Sequence, residues 1–382
     1  MKVWKSPVFY FGILLVAAVV ALLVAPFVVN WNGYRADLEA YGRKLTGREI
    51  TVEGDIAARL FPWPKLTVEG VRVANPPGLT DPEFAHAGRV VVRMSLAGLL
   101  QGAIEVESID IENPVIAVER LASGKGNWHF TPAADLLKSD LLARVRLDSI
   151  TIRDGVVRFT DRRRGEVHQL DDVNASFAAP MITGPWRMRS LSLYEGHAID
   201  VALNTGVWKE AEPLRYSVRL ANADSSGFVF TFDGAQTDGK SEGELRIEPA
   251  SGANGKEDAE GQLRPLVFKS KVSATFDQVN LDGIEIAPRE LKDGGTLMSG
   301  SAKLLLGPHI TASADLSAAT LDLDAYAGAQ ARMMLREGGV LNVADGLLRL
   351  LPQDLSLSGG LKVTALKAGG ETLDNVALIV EA

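Results

Sequence analysis

From Arg48 onward the sequence alternates apolar and polar residues with a period of two. "REITVEGDI" and "KLTVEGVRV" open the pattern, and "RVVVRMSL", "AIEVESIDI" and "PVIAVERL" continue it. Successive side chains of a strand point to opposite sides, so these runs describe strands with one apolar and one polar face. From Arg144 the chain holds little else. "RVRLDSITI", "VVRFTD", "AIDVALN", "FVFTFD", "GELRIEP", "LVFKSKVSATF", "HITASADL" and "NVALIV" are separated by turn signals such as "NTG", "DSSG" and "SGG". An apolar face on so many strands must be covered or used. The residues leave two architectures open: a closed β-sandwich, and an elongated, curved antiparallel sheet whose apolar side is an open groove.

Helical patterns are few. "NGYRADLEAYGRKLTG" reads as a helix with Asn32 as N-cap and Gly47 at its stop. Tyr34, Leu38, Tyr41 and Leu45 form a packing stripe. "PAADLLKSDLLA" (132–143) reads as a second helix, and "AGAQARMMLREG" near residue 330 as a weak third. The polar, Gly-rich "EPASGANGKEDAEGQ" (248–262) reads as a loop. There is an internal likeness. "VESIDIENPVIAV" (Val106–Val118) aligns without gaps to "LDSITIRDGVVRF" (Leu147–Phe159), and "LDDVNASF" resembles "LDNVALIV". Each member of the first pair reads as a strand, a two-residue turn and a returning strand. The last strand-like run reaches the end of the sequence, so the natural chain is expected to continue.

The N-terminus has a different character. No charged residue occurs from Ser6 to Tyr34. Its apolar heart, Val8–Val29, would be about 33 Å long as a helix, enough to cross a bilayer core. Phe11, Leu14, Leu15, Leu22, Leu23 and Phe27 would form the body of the anchor, with Trp31 at the interface. Lys2 and Lys5 precede the span, which puts the N-terminus in the cytoplasm and the bulk of the chain across the membrane. A cleaved signal peptide would carry a shorter apolar region and a small-x-small site, whereas this one ends in "PFVVNWN". The chain therefore divides into an anchor (1–30), a helix-plus-sheet region (31–143) and a continuing β-meander (144–382).

Chemistry is hard to find. The net charge is −8, with acids and bases interspersed and no basic stripe, so a nucleic-acid partner is not expected. No cysteine is present, which excludes disulfides and thiolate sites. The five histidines (86, 129, 168, 197, 309) are scattered, without an HExxH spacing, and no GxSxG elbow occurs. No catalytic residue, metal or cofactor is expected. One motif argues otherwise: "GAQTDGKS", Gly234–Ser241, spells a phosphate-binding P-loop. Such a loop needs a helix behind it. Here "SEGELRIEP" alternates and ends in Pro249, and Asp238 would add a negative charge to the anion site. Lys240 is expected in an exposed hairpin loop, with no helix starting at Ser241 and no nucleotide bound. A P-loop nucleotidase is the remote alternative.

"TGREITVEGDIAARLFPWPKLTVEGVRVANPPG" (Thr46–Gly78) resembles the N-terminal signature of the AsmA family of bacterial envelope proteins. The matching words hold Gly47, Arg48, Gly54, Asp55, Phe61, Pro62, Pro64, Asn75 and Gly78. "GKGNW" adds Asn127 and Trp128. These residues read as structural. "FPWP" reads as a rigid turn with Trp63 packed, and Asn127 and Trp128 as the end of a strand. The resemblance implies an inner-membrane protein with a β-rich periplasmic bulk, similar to TamB-type and chorein-type bridge lipid-transfer proteins. In those, phospholipid acyl chains lie along an apolar β-groove. The expected partners are phospholipid, the inner membrane and envelope proteins, and the expected role is outer-membrane lipid homeostasis. The alternative is a non-enzymatic scaffold for outer-membrane protein assembly.

Overall fold

The computed structural model describes residues 14, 29–60, 63–101, 105–130, 147–181, 183–250, 265–289, 296–326 and 355–381. The predicted anchor (1–30) lies outside these except for Leu14, which is helical and exposed, and the exposed Val29 and Asn30. Among the described residues no helix is long and apolar enough to cross a membrane. Phe61, Pro62, the predicted helix at 132–143, the boundary at 143/144, most of the Gly-rich loop and the stretch near 330 also lie outside them.

The described chain is mainly β. It begins with a 3₁₀ turn, Trp31–Tyr34, and helix α1, Arg35–Thr46. Gly47 stops α1 in the left-handed conformation (φ 70°), its N–H donating to the Arg43 carbonyl. Asn32 is not the N-cap. Its side chain turns to the sheet, accepting from the Ile56 N–H (3.0 Å) and donating to Asp55 (3.3 Å). Arg35 reaches the Gly54 carbonyl (2.8 Å), and Glu39 accepts from the Val52 N–H (2.9 Å). Four side-chain bonds thus tie the helix to the first strands.

Contacts group the chain into two compact units, one running to Glu195 except for residues 163–165, the other comprising 163–165 and the chain from Gly196. The first unit holds β1 (Ile50–Val52), β2 (Ile56–Arg59), β3 (Lys65–Ala74) and β4 (Glu83–Met94), then helix α2 (Leu96–Leu100). It continues with β5 (Val106–Arg120), β6 (Leu147–Asp161), β7 (Glu166–Ala179) and β8 (Arg187–Tyr194). Both β1 and β2 pair with β3, and from β3 each strand pairs with the next through β8. The second unit holds β9 (His197–Thr205), β10 (Leu214–Asn222), β11 (Phe228–Thr237), β12 (Lys240–Pro249) and β13 (Leu266–Ala274). After these come β14 (Gln278–Pro288), β15 (Met298–Leu306), β16 (Ile310–Asp322), the short helix α3 (Leu323–Tyr326), β17 (Leu355–Ala368) and β18 (Glu371–Glu381). These strands also pair in chain order.

Two pairings are parallel, β5 with β6 and β16 with β17. They correct the hairpin reading of the internal likeness. Val106–Val118 and Leu147–Phe159 are each one continuous strand, lying side by side in the register of their sequence alignment, with Ser108 opposite Ser149 and Val118 opposite Phe159. "ENP" and "RDG" are bends within the strands rather than turns, and at "RDG" the β6–β7 ladder also shifts register. Only one residue of each is left-handed, Asn113 (φ 51°) and Asp154 (φ 52°). A single left-handed residue bends a strand, while two in succession reverse it.

That reversal is what "GAQTDGKS" builds. Asp238 (φ 48°) and Gly239 (φ 78°) form a two-residue turn joining β11 to β12. Lys240 pairs with Thr237 as the first residue of β12, exposed and bridged to Glu242, and a strand rather than a helix runs through Ser241. Gly234 lies opposite Gly243 on the ladder. A Cβ at Gly243 would meet the Asp233 carbonyl at 2.3 Å and the Phe232 ring at 2.8 Å, so the glycine pair leaves room for that ring. Gly243→Ala is expected to destabilise by about 1–3 kcal/mol through overpacking, seen as a lower thermal midpoint of the full chain. Lys240→Ala should leave the midpoint unchanged.

Candidate functional site

Strand registers bring the apolar side chains into unbroken rows. In the first unit one row runs Ala58–Leu66–Val92–Ile109–Ile150–Phe177–Met188 across β2 to β8. In the second unit Val201, Leu220, Phe230, Ile247, Phe268, Ile286 and Met298 form a row across β9 to β15. The next row but one, Tyr216–Gly234–Gly243–Val272–Leu281–Ala302–Ala314–Gly359–Val380, carries the face to β18. Small residues hold five of its nine positions, and the Phe232 ring lies over the Gly234–Gly243 pair. On the other side of the same strands lie Arg219, Thr231, Arg246, Lys269, Glu285, Ser299 and Ser317.

The apolar face is not sealed. Most of its side chains are half-buried, and Phe228 (55%) and Phe230 (40%) are exposed. In the second unit the helix among the described residues is the four-residue α3. Dense clusters form at the β16–β17 pair, where Ala318, Leu321, Val363 and Leu366 meet, and in the first unit at Val52, Ile56 and Val68. Such a face has the chemistry of a surface for apolar chains: it offers contact area and no reactive group.

At the start of the first unit the face deepens into a pocket of about 490 Å³. Trp31, Tyr34, Leu38 and Tyr41 form one wall. Ile56, Ala58, Leu60, Leu66, Met94 and Leu99 line the rest, with Asp37, Arg59 and Lys65 in the wall. Leu38 of the predicted stripe packs, with Trp31 and Leu66, against the buried cluster Val52, Ile56 and Val68, while Tyr34 and Tyr41, half exposed, line the accessible side of the cavity.

The signature residues meet elsewhere. Arg48 is buried, its guanidinium against the edge-to-face rings of Phe84 (4.7 Å) and Phe130 (4.3 Å). It donates to Asn75 Oδ1 (3.4 Å) and to the carbonyls of Asn127 and His129. Burial draws its pKa below the usual arginine value, and it stays charged. Asn127, only 4% exposed, donates to Asn75 Oδ1 (3.1 Å) and the Ala117 carbonyl (2.7 Å), and accepts from the Glu119 N–H (2.8 Å). Asn75 donates to the carbonyls of Asp81 and Glu83 (2.9 and 3.0 Å). Trp128 lies on Gly126, whose Cβ would meet the indole at 2.2 Å. Sequence reasoning missed Glu119, 2% exposed, which accepts from Thr80 N–H (2.9 Å) and Oγ1 (3.1 Å) and pairs with Arg162. Its signal was a carboxylate at an inward position of "VIAVER". Gly54 packs against the Glu69 backbone, Gly78 takes φ 92° in a turn, and Pro64 is fully buried. Trp63 differs from expectation. It is 72% exposed, while the neighbouring Pro64 is buried.

Among the described residues no group of three metal-ligating side chains comes together. What converges at the signature is a clasp that closes the ends of β3 and β5.

A family model for the AsmA family matches residues 1–286, three quarters of the sequence. The chain belongs to the AsmA family. It is also similar to the AsmA family protein YhjG of Escherichia coli (strain K12), 25% identical over 166 residues, covering 39% of this chain and 24% of the relative. The match thus spans about a quarter of that protein's length. No solved structure matches the chain. The clasp lies within the region matched by the family model, as do the pocket and the first rows of the second unit.

Asn127→Ala strips three bonds from the clasp and leaves buried partners unsatisfied. It should destabilise the first unit by roughly 1–3 kcal/mol. Limited proteolysis of the full chain should show earlier cleavage before Glu195, with the second unit cut at the wild-type rate.

Proposed function

We propose that this AsmA-family chain holds phospholipid acyl chains against its apolar sheet faces. In this reading it is anchored in the bacterial inner membrane by residues 8–29, exposes its sheets to the periplasm and supports outer-membrane lipid homeostasis, without catalysing a reaction. The observation that carries the reading is the unbroken, half-exposed apolar row across each unit. Water contact on such a face is costly. Each methylene of an acyl chain laid on it contributes about 0.8 kcal/mol when fully buried. Rows perpendicular to the strands give a chain no fixed stopping point, which suits conduction as well as binding.

Photo-crosslinking tests it. A photoreactive residue at Leu220, Phe230 or Leu304 should capture phospholipid in cells, while the same probe at Arg219, Asp233 or Lys303, on the polar side, should not. Equal labelling on both sides, or none on either, sinks the reading. Phe230→Asp should cut capture at Leu220 several-fold by charging the face.

The location has its own test. The chain has no cysteine, so single-cysteine variants report topology cleanly. A cysteine at Ser225, in the exposed turn between β10 and β11, should react with a membrane-impermeant maleimide in cells with permeabilised outer membranes. Labelling only after inner-membrane lysis would place the sheets in the cytoplasm instead.

A further inference from the structure

The hairpin of β2 and β3 carries an uncompensated pair of cations. Arg59 lies directly opposite Lys65, and Lys65 lies opposite Arg93 on β4. Arg93 is neutralised by Asp110 at 3.0 Å. Among the described residues neither Arg59 nor Lys65 has an ion-pair or hydrogen-bond partner. Like charges directly opposite on a sheet repel at a Cβ separation of about 5 Å, and a bound anion reverses the sign of that interaction.

Both cations stand in the wall of the apolar pocket beneath α1. We propose that this pocket is where a phospholipid docks from the bilayer, with acyl chain inside and phosphate on Arg59 and Lys65. The proposal rests on the acyl-chain reading above and adds a headgroup site to it. Three features favour a phospholipid over a free anion or a bare hydrocarbon. The cavity's size, about 490 Å³, falls in the range of small-molecule sites of roughly 300–1,000 Å³, and most of its lining is apolar. Arg59 and Lys65 form the last pair of the β2–β3 ladder, next to the Ala58–Leu66 pair, so the charges stand at the hairpin end of the apolar floor. Trp63, two residues before Lys65, is exposed, and Trp31, Tyr34 and Tyr41 line the pocket. Trp and Tyr beside cations are the side chains that settle at the headgroup level of a bilayer. Asp37 is the opposing charge in the wall, one carboxylate against two cations. Ala58 and Leu66 also begin the row that ends at Met188, so a chain leaving the pocket meets the apolar face directly.

The test uses the full chain in vesicles of phosphatidylethanolamine and phosphatidylglycerol. The vesicles carry either a photoactivatable phospholipid or a photoactivatable diacylglycerol that lacks the phosphate, and crosslinks are mapped by mass spectrometry. Phospholipid crosslinks are expected at Leu38, Ile56 or Leu66. Charge reversal by Arg59→Glu with Lys65→Glu should lower them about tenfold, leaving diacylglycerol crosslinks unchanged. The milder Arg59→Gln with Lys65→Gln should lower them in the same direction, and Arg59→Lys with Lys65→Arg should retain them. Equal phospholipid labelling in wild type and both charge-removing variants overturns the phosphate site. Labelling of the β9–β18 face with none in the pocket overturns the docking site and leaves the acyl-chain reading standing. Absence of labelling at both overturns the two together. Tight binding of inorganic phosphate by the chain in detergent, abolished by the same charge reversal and without lipid capture in the pocket, would make this a free-anion site and also overturn the proposal.

Discussion

Strand register is the constraint on which everything else in this protein depends. Side chains alternate at every residue, so a slip of one position along any ladder would move an apolar set to the polar side. The rows cross seven strands of the first unit and reach from β9 to β18 in the second because each pairing keeps phase with the one before. Where a strand loses phase, a bulge restores it. Leu281 and Ile284 share a face although two residues separate them, and Gly283 (φ 59°) takes up the extra residue. Asn113 and Asp154 are left-handed side by side in the parallel β5–β6 pair, whose register is unchanged across them.

A sheet with a half-open face forgoes part of its hydrophobic stabilisation. Only sixteen apolar residues are buried among those described, so cohesion has to come largely from ladder hydrogen bonds and from the polar devices at strand ends. The clasp around Arg48 and Asn127 is the strongest of these. It satisfies a guanidinium, two amides and a carboxylate at once, and so removes the penalty that any one of them would suffer if buried alone. Asp324 works similarly in the second unit, accepting from the N–H groups of Gly369 and Gly370 in the β17–β18 turn (2.9 and 2.8 Å). Stability is thereby concentrated at the edges of the strands, which leaves the apolar rows free to be used.

The same arrangement separates binding from chemistry. The family signature words build the clasp and the α1 tether rather than a reactive site, and the P-loop spelling builds a turn with Phe232 lying over a glycine pair. What remains for function is area: apolar rows, the pocket under α1, and a charged rim beside it.

Much of this was legible in the sequence. Period-two alternation, the stop of α1 at Gly47 and the absence of a helix after Lys240 all follow from local chemistry, because pleat geometry and left-handed glycine are properties of neighbouring residues. Pairing partners were not legible. Asp-Gly occurs at 154–155 and at 238–239, yet the first is a bulge and the second a turn. In the first, Gly155 is buried against Pro114 of the neighbouring strand and the Val173 carbonyl, and reversal there would abandon a parallel ladder of equal length. In the second, no such neighbour competes and both residues turn left-handed. Likewise Arg59 and Lys65 read as ordinary polar positions flanking "FPWP". Only the cross-strand pairing sets them face to face at the mouth of an apolar pocket. The sequence alone determined that this chain makes strands with one apolar side, since alternation is local. The tertiary structure decided which strands lie together and so where charge, aromatic rings and bare apolar surface converge, since pairing is a choice among distant segments.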